Sequence, residues 1–193
     1  MPKDKNRDRK LKAVFLDRDG VLNKLVYHKE AGIIDSPFTV KQFRLLPKTK
    51  EAVDAIRRKG FKTIVVSNQP GILKGHFTKK ILEEITVKMK KRLGVDGVYY
   101  CLHHPSFMKC GCRKPKAGLL FKAAREMNVR LKDSFMVGDS WVDIAAGRKA
   151  GCRTILLGDA KCDTCKLLRR NNASPDYIAK NLHEASKLIE INE

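Results

Sequence analysis

The chain has 193 residues, and 41 Lys and Arg against 21 Asp and Glu give it a net charge of +20 at pH 7. An apolar fraction of 42% supports a buried core and excludes a globally disordered chain, and no apolar run approaches the roughly 20 residues of a membrane span. The charge invites an anionic partner, but the basic residues are dispersed among acids, and no zinc-finger helix, RNA-recognition signature or heptad-linked basic region accompanies them, so nucleic acid is not the expected partner.

Residues 1–12 read as a basic tail. They lack the apolar segment of a secretory signal, and Asp4 and Asp8 argue against a transit peptide, so a cytoplasmic protein is expected. Residues 13–17 (AVFLD) read as a buried strand that ends in acids. Residues 48–59 carry Ala52, Val53, Ala55 and Ile56 at helical spacing, and Gly60 stops that helix. Residues 62–67 (KTIVVS) are a second buried strand. Thr78 can cap a helix running to about Arg92, and residues 97–101 are a third strand. Pro115 suits the first turn of a helix through Met127. A fourth strand is expected at 134–137, a helix at 143–150, a fifth strand at 153–157, a short last strand at 176–179 and a closing helix at 182–189. Strands alternating with helices predict an α/β domain over residues 13–193, a doubly wound, Rossmann-like parallel sheet with ligands at the carboxyl ends of its strands.

Those strand ends carry the chemistry. The first ends in Asp17-Arg18-Asp19-Gly20, and residues two apart on a strand share a side, so two carboxylates converge at the mouth of the sheet. A calcium loop is the alternative, but its glycine should be sixth and Gly20 is fourth. The second ends in Ser67-Asn68-Gln69-Pro70-Gly71, polar groups and loop amides that can hold phosphate oxygens without matching a nucleotide P-loop. The fourth leads into Gly138-Asp139-Ser140-Trp141-Val142-Asp143, and Arg113-Lys114 precede the helix before it. Several carboxylates, a hydroxyl and a lysine suit a hard cation and a phosphoryl group.

Cys101, Cys110 and Cys112 with His103 or His104 form a separate cluster at C-x-H-x6-C-x-C spacing. Three thiolates and an imidazole suit a tetrahedral Zn²⁺, and four protein ligands make it structural. Cys162-x-x-Cys165 and Cys152 read as incidental, Trp141 as packing at a helix start, and His28 and His76 as surface residues.

The four motifs, Asp17-Arg18-Asp19-Gly20-Val21, Ser67, Lys114 and Gly138-Asp139…Asp143, together resemble the haloacid dehalogenase (HAD) superfamily of phosphatases over most of residues 13–157. The resemblance implies that Asp17 forms an aspartyl-phosphate, that Asp19 protonates the leaving alkoxide and then activates water, and that Ser67 and Lys114 hold the phosphoryl group. It implies a catalytic Mg²⁺ on the Asp17 carboxylate, the Asp19 carbonyl and Asp139, with Asp143 orienting Lys114 or metal-bound water. The loop Tyr99-Tyr100-Cys101-Leu102-His103-His104-Pro105, then Cys112-Arg113-Lys114-Pro115, is similar to the D,D-heptose 1,7-bisphosphate phosphatases and the histidinol-phosphate phosphatases, whose pattern favours His103 as the ligand.

That similarity implies a capless core with a zinc loop at 101–112. It implies action on a small phosphorylated sugar, with histidinol phosphate or another sugar phosphate as alternatives and a nucleic-acid 3′-phosphate further off; a monomer is expected. Arg113 and Lys114 would contact substrate, together with Asn68, Gln69, Pro70 and Ser140, and residues 25–28 of the short insert would approach it. Ser140 stands where the heptose enzymes commonly have lysine.

Overall fold

The computed structural model describes residues 10–104, 106, 109–158 and 162–190. The first nine residues of the expected basic tail, and residues 105, 107 and 108 of the expected zinc loop, lie outside them. In chain order the strands and helices are β1 (Ala13–Leu16), β2 (Val26–His28), β3 (Ile33–Asp35), α1 (Thr49–Arg58), β4 (Lys62–Asn68), α2 (Lys79–Leu93), β5 (Gly97–Cys101), α3 (Gly118–Glu126), β6 (Phe135–Gly138), α4 (Trp141–Ala150), β7 (Arg153–Leu157), α5 (Cys162–Arg170), β8 (Tyr177–Ala179) and α6 (Leu182–Leu188).

Six strands form one parallel sheet in the order β5-β4-β1-β6-β7-β8. β1 is central because all four of its residues are buried and its period-two alternation feeds two cores. Val14 and Leu16 join the layer under α1, α2 and α6, with Val53, Ile56, Ile85, Met89 and Ala185. Ala13 and Phe15 join the layer under α3 and α4, with Leu120, Ala123 and Ala146. β4 lies on one side of β1 and β6 on the other, so the strand order switches at the carboxyl end of β1. The expected doubly wound parallel sheet is the observed one, and no described helix is long and apolar enough to cross a membrane.

The chain departs from the sequence reading in three places. The insert after β1 contains an antiparallel hairpin, with Tyr27 opposite Ile34. These two side chains are 59% and 68% exposed while Val26, His28, Ile33 and Asp35 are half-buried, so apolar residues fall on both faces and no alternation of apolar and polar residues marks the strands. Helix α3 begins at Gly118 and not at Pro115, because the Lys114 main chain is engaged elsewhere. Its N–H donates to Asn68 Oδ1 at 3.0 Å, and its carbonyl accepts from Asn68 Nδ2 at 3.1 Å. Finally, Cys165 sits on α5 and not in a loop.

Candidate active site and cysteine–histidine cluster

β1 delivers Asp17 to the mouth of the sheet, where its N–H donates to the Val137 carbonyl of β6 at 3.0 Å and extends the ladder by one residue. Gly20 turns the chain away at φ +84°, and a β-carbon there would run into the Asp139 carboxylate. One at Gly138 would overlap the Asp143 side chain. The two glycines therefore clear the space in which Asp17, Asp139 and Asp143 bring carboxylate oxygens within 4.8 Å of one another. Asp143 is fully buried in the first turn of α4, where its Oδ2 accepts from the Ser140 N–H at 3.2 Å. Trp141, beside it, packs against the small core of Ile144, Leu156 and Leu168.

Lys114 enters this group from the far side. Its buried ammonium donates to the Val66 carbonyl at 2.8 Å and lies 2.9 Å from Asp17 Oδ1 and 2.5 Å from Asp143 Oδ1. Burial by itself would lower the Lys114 pKa, but Asp143 and Asp17 outweigh it and hold the amine charged. Burial, then the Asp143 and Asp17 charges, push the Asp139 carboxyl up to about 7, with Lys114 opposing. Burial also raises Asp143, against the pull of Lys114. Three carboxylates and one ammonium leave the pocket short of positive charge. Hard oxygen donors converging there, in space kept clear by Gly20, fit a small divalent cation.

The Asp19 side chain is not in this group. Its carboxylate lies 2.9 Å from Arg18 Nη2 and accepts from Gln69 Nε2 at 2.6 Å and Asn23 Nδ2 at 2.9 Å. Ser67 is buried at the end of β4, and its Oγ accepts from Gln69 Nε2 at 3.1 Å. Two residues expected to touch substrate are thus occupied: Gln69 is 1% exposed and faces Asp19, and Asn68 grips the Lys114 main chain. Pro70 opens a short 3-10 turn, Pro70–Ile72. Arg113 is half-buried, and its Nη1 is buried without a hydrogen-bond partner. Leu25 and Tyr27 are exposed, whereas His28 and His76 stack on the two sides of Phe38, with centroids 3.5 Å and 4.5 Å away.

Arg18, Asn23 and Phe38 join the site without standing in any expected motif role. For Arg18 a signal existed: alternation turns residue 18 away from Asp17 and Asp19, toward the interior, where an arginine is unexpected.

The second cluster hangs from the end of β5. Cys101 and Cys110 sulfurs are 3.8 Å apart, and His103 Nδ1 lies 3.5 Å from Cys101 Sγ and 3.2 Å from Cys112 Sγ. The sulfur separation is far beyond a disulfide of about 2.05 Å. It equals the edge of a tetrahedron built on bonds of about 2.3 Å, the zinc–thiolate length. Burial raises the Cys101 and Cys112 thiols, with the neighbouring sulfurs adding to it at Cys112, whereas hydrogen bonds from the Arg113 main chain and the neighbouring thiols outweigh burial and lower Cys110. The donor set is therefore compatible with zinc, with His103 and not His104 in the group. Cys152 and Cys165 join no such group among the described residues.

The HAD-hydrolase-like family matches residues 111–185. The D-glycero-beta-D-manno-heptose-1,7-bisphosphate 7-phosphatase of Pasteurella multocida is 33% identical over 189 residues, 92% of this chain and 96% of its own. A D-glycero-alpha-D-manno-heptose-1,7-bisphosphate 7-phosphatase of Photorhabdus laumondii is 31% identical, over 94% of this chain and 98% of its own. Among solved structures, the D,D-heptose 1,7-bisphosphate phosphatase of B. bronchiseptica, complexed with magnesium and phosphate, aligns with a TM-score of 0.77 at 27% identity. It covers 93% of this chain and 98% of that one.

Proposed function

The chain belongs to the heptose-1,7-bisphosphate 7-phosphatase family of HAD-like hydrolases, and from that membership we propose that its substrate is D-glycero-D-manno-heptose 1,7-bisphosphate, cleaved at the 7-phosphate. The observation that carries the chemistry is the convergence of Asp17, Asp139 and Asp143 within 4.8 Å, with the Lys114 ammonium 2.9 Å from Asp17. The relatives favour this substrate over histidinol phosphate.

In this reading an Asp17 carboxylate oxygen attacks phosphorus and the ester P–O bond breaks. The sugar alkoxide leaves with a proton from Asp19. Asp19, now a base, takes a proton from water, which displaces phosphate from the aspartyl-phosphate and restores Asp17. Lys114 and the Ser67 hydroxyl hold the phosphoryl oxygens, and Arg113 meets the substrate beyond them. A Mg²⁺ held by the Asp17 and Asp139 carboxylates and the Asp19 carbonyl, with Asp143 behind, would offset charge on the phosphoryl group. Zn²⁺ on Cys101, His103, Cys110 and Cys112 would brace the loop that presents Arg113 and Lys114. The substrate is a small metabolite and the working unit a single chain.

Phosphate release across a panel tests this, with Mg²⁺ or with chelator. The panel holds both heptose bisphosphate anomers, histidinol phosphate, other sugar phosphates and 3′-phosphorylated DNA. A heptose bisphosphate should give the highest kcat/KM, and activity should vanish in Asp17→Asn and with chelator. Faster release from histidinol phosphate or from DNA would overturn the substrate assignment, and turnover by Asp17→Asn equal to wild type would overturn the mechanism.

A further inference from the structure

Arg18 stands between the two acids at the end of β1 and is 0% exposed. Its Nε lies 3.2 Å and 3.1 Å from the two Asp19 oxygens, and Nη2 donates to Asp19 Oδ1 at 3.1 Å. Nη2 also donates to Gln69 Oε1 at 2.9 Å, and Gln69 Nε2 returns to Asp19 Oδ2 at 2.6 Å. Three side chains from two strand ends thus close a ring.

The ring is anchored on every side. The Gln69 N–H is tied to the Cys101 carbonyl at 2.7 Å, and the Arg18 guanidinium lies 5.7 Å from the Tyr100 ring centroid. Asn23 Nδ2 also donates to Asp19 Oδ1 at 2.9 Å.

Arg18 is a costly way to fill this space. Its Nη1 is buried without a hydrogen-bond partner, and a buried cation with an orphaned donor is commonly less stable than an apolar side chain of similar volume. What it supplies is geometric: a planar fork fixes both the position and the plane of a carboxylate, which a lysine cannot do. Asp19 keeps 12% of its side chain exposed, yet its carboxylate stays out of the Asp17–Asp139–Asp143 group.

We propose that Arg18 and Gln69 are positioning residues, a buried clamp that holds the Asp19 carboxylate clear of the metal-binding carboxylates and aimed at the leaving-group oxygen. Neither touches substrate. The proposal rests on the reading of Asp19 as the leaving-group acid. It places the Gln69 side chain behind the acid rather than against the sugar.

The experiment exploits the leaving group. kcat/KM reports transfer to Asp17, and a proton from Asp19 matters there only when the departing oxygen is a poor leaving group. Two substrates are compared at saturating Mg²⁺: p-nitrophenyl phosphate, and the sugar phosphate turned over fastest in the panel above. Arg18→Met should lower kcat/KM for the sugar phosphate about 10²-fold and for the aryl phosphate less than about threefold, within the range of general-acid effects. Arg18→Lys should recover part of the loss, and Gln69→Met should show a smaller loss with the same discrimination. A fault in folding or metal binding would lower both substrates together.

Asp19→Asn is the control. If it discriminates between the substrates while Arg18→Met and Gln69→Met do not, the clamp is wrong and the phosphatase mechanism stands. If Asp19→Asn does not discriminate either, the acid assignment falls and the clamp with it. Should Arg18→Met not fold, Gln69→Met carries the test.

Discussion

Lys114 and Asp143 make a buried ion pair inside the sheet's mouth, with Nζ 2.5 Å from Oδ1 and neither side chain reaching solvent. The same ammonium is 2.9 Å from Asp17, so one cation serves two carboxylates. Removing it strands charge in the interior. Lys114→Met should destabilise the fold by about 3 kcal/mol, the usual cost of breaking a buried pair from one side, and reduce phosphate release at least about 10²-fold. Adding Asp143→Asn should recover part of the stability but none of the turnover. Urea unfolding of the single and double variants measures the first, and equal stability of both variants would count against the pairing.

The Asp139 carboxyl offers a pH test. Its folded value of about 7 lies above the ordinary 3.8, so in metal-free protein the folded state binds a proton that the unfolded state has released. The stability this proton confers is complete below about pH 4 and is lost as pH rises through 7. In chelator-treated protein, Asp139→Asn should therefore melt several degrees higher than wild type at pH 8 and show little difference at pH 4. Mg²⁺ should raise the wild-type melting temperature at pH 8 and leave the variant unmoved. Thermal melts at the two pH values decide it, and an equal shift at both would sink the idea.

Metal analysis of protein purified without chelator should find about one zinc per chain, and none in Cys110→Ala. Cys112 is followed directly by Arg113 and Lys114, so loss of the metal should act on catalysis as well as stability. The expected penalty is at least about 2 kcal/mol, or roughly 5 °C in melting temperature, with a clear fall in kcat/KM. Full activity in zinc-free protein would remove the bracing role.

Gly20→Ala should be far worse than an average glycine substitution. The new methyl meets the Asp139 carboxylate, and the backbone is held at φ +84°. We expect a loss of about 2–4 kcal/mol and near-complete loss of Mg²⁺-dependent turnover. Gly32→Ala is the control: φ is +61° but nothing lies within 4 Å, so only about 1 kcal/mol should be lost and activity kept. Similar activity in the two variants would show that the space beside Asp139 is not needed.

Much of this protein was legible in its residues, for a local reason. Buried parallel strands are short apolar runs, and the residue after each run must lie at the edge of the sheet. Reading residues 13–17 and 134–137 as strands was therefore enough to put Asp17 and Asp139 at one end of the molecule. Cysteine spacing carried the second cluster in the same way. The β2–β3 hairpin escaped because its apolar side chains lie on both faces, Val26 and Ile33 half-buried and Tyr27 and Ile34 exposed, so the residues show no apolar–polar alternation.

Only the tertiary structure decided which acid meets which partner. Asp17 and Asp19 look equivalent in the sequence, yet Asp17 joins Lys114, Asp139 and Asp143, while Asp19 is held by Arg18, Asn23 and Gln69. Periodicity says which side of a strand a residue takes. It cannot name a partner 50 residues away, such as Gln69 for Asp19, because that contact exists only once β4 has paired beside β1.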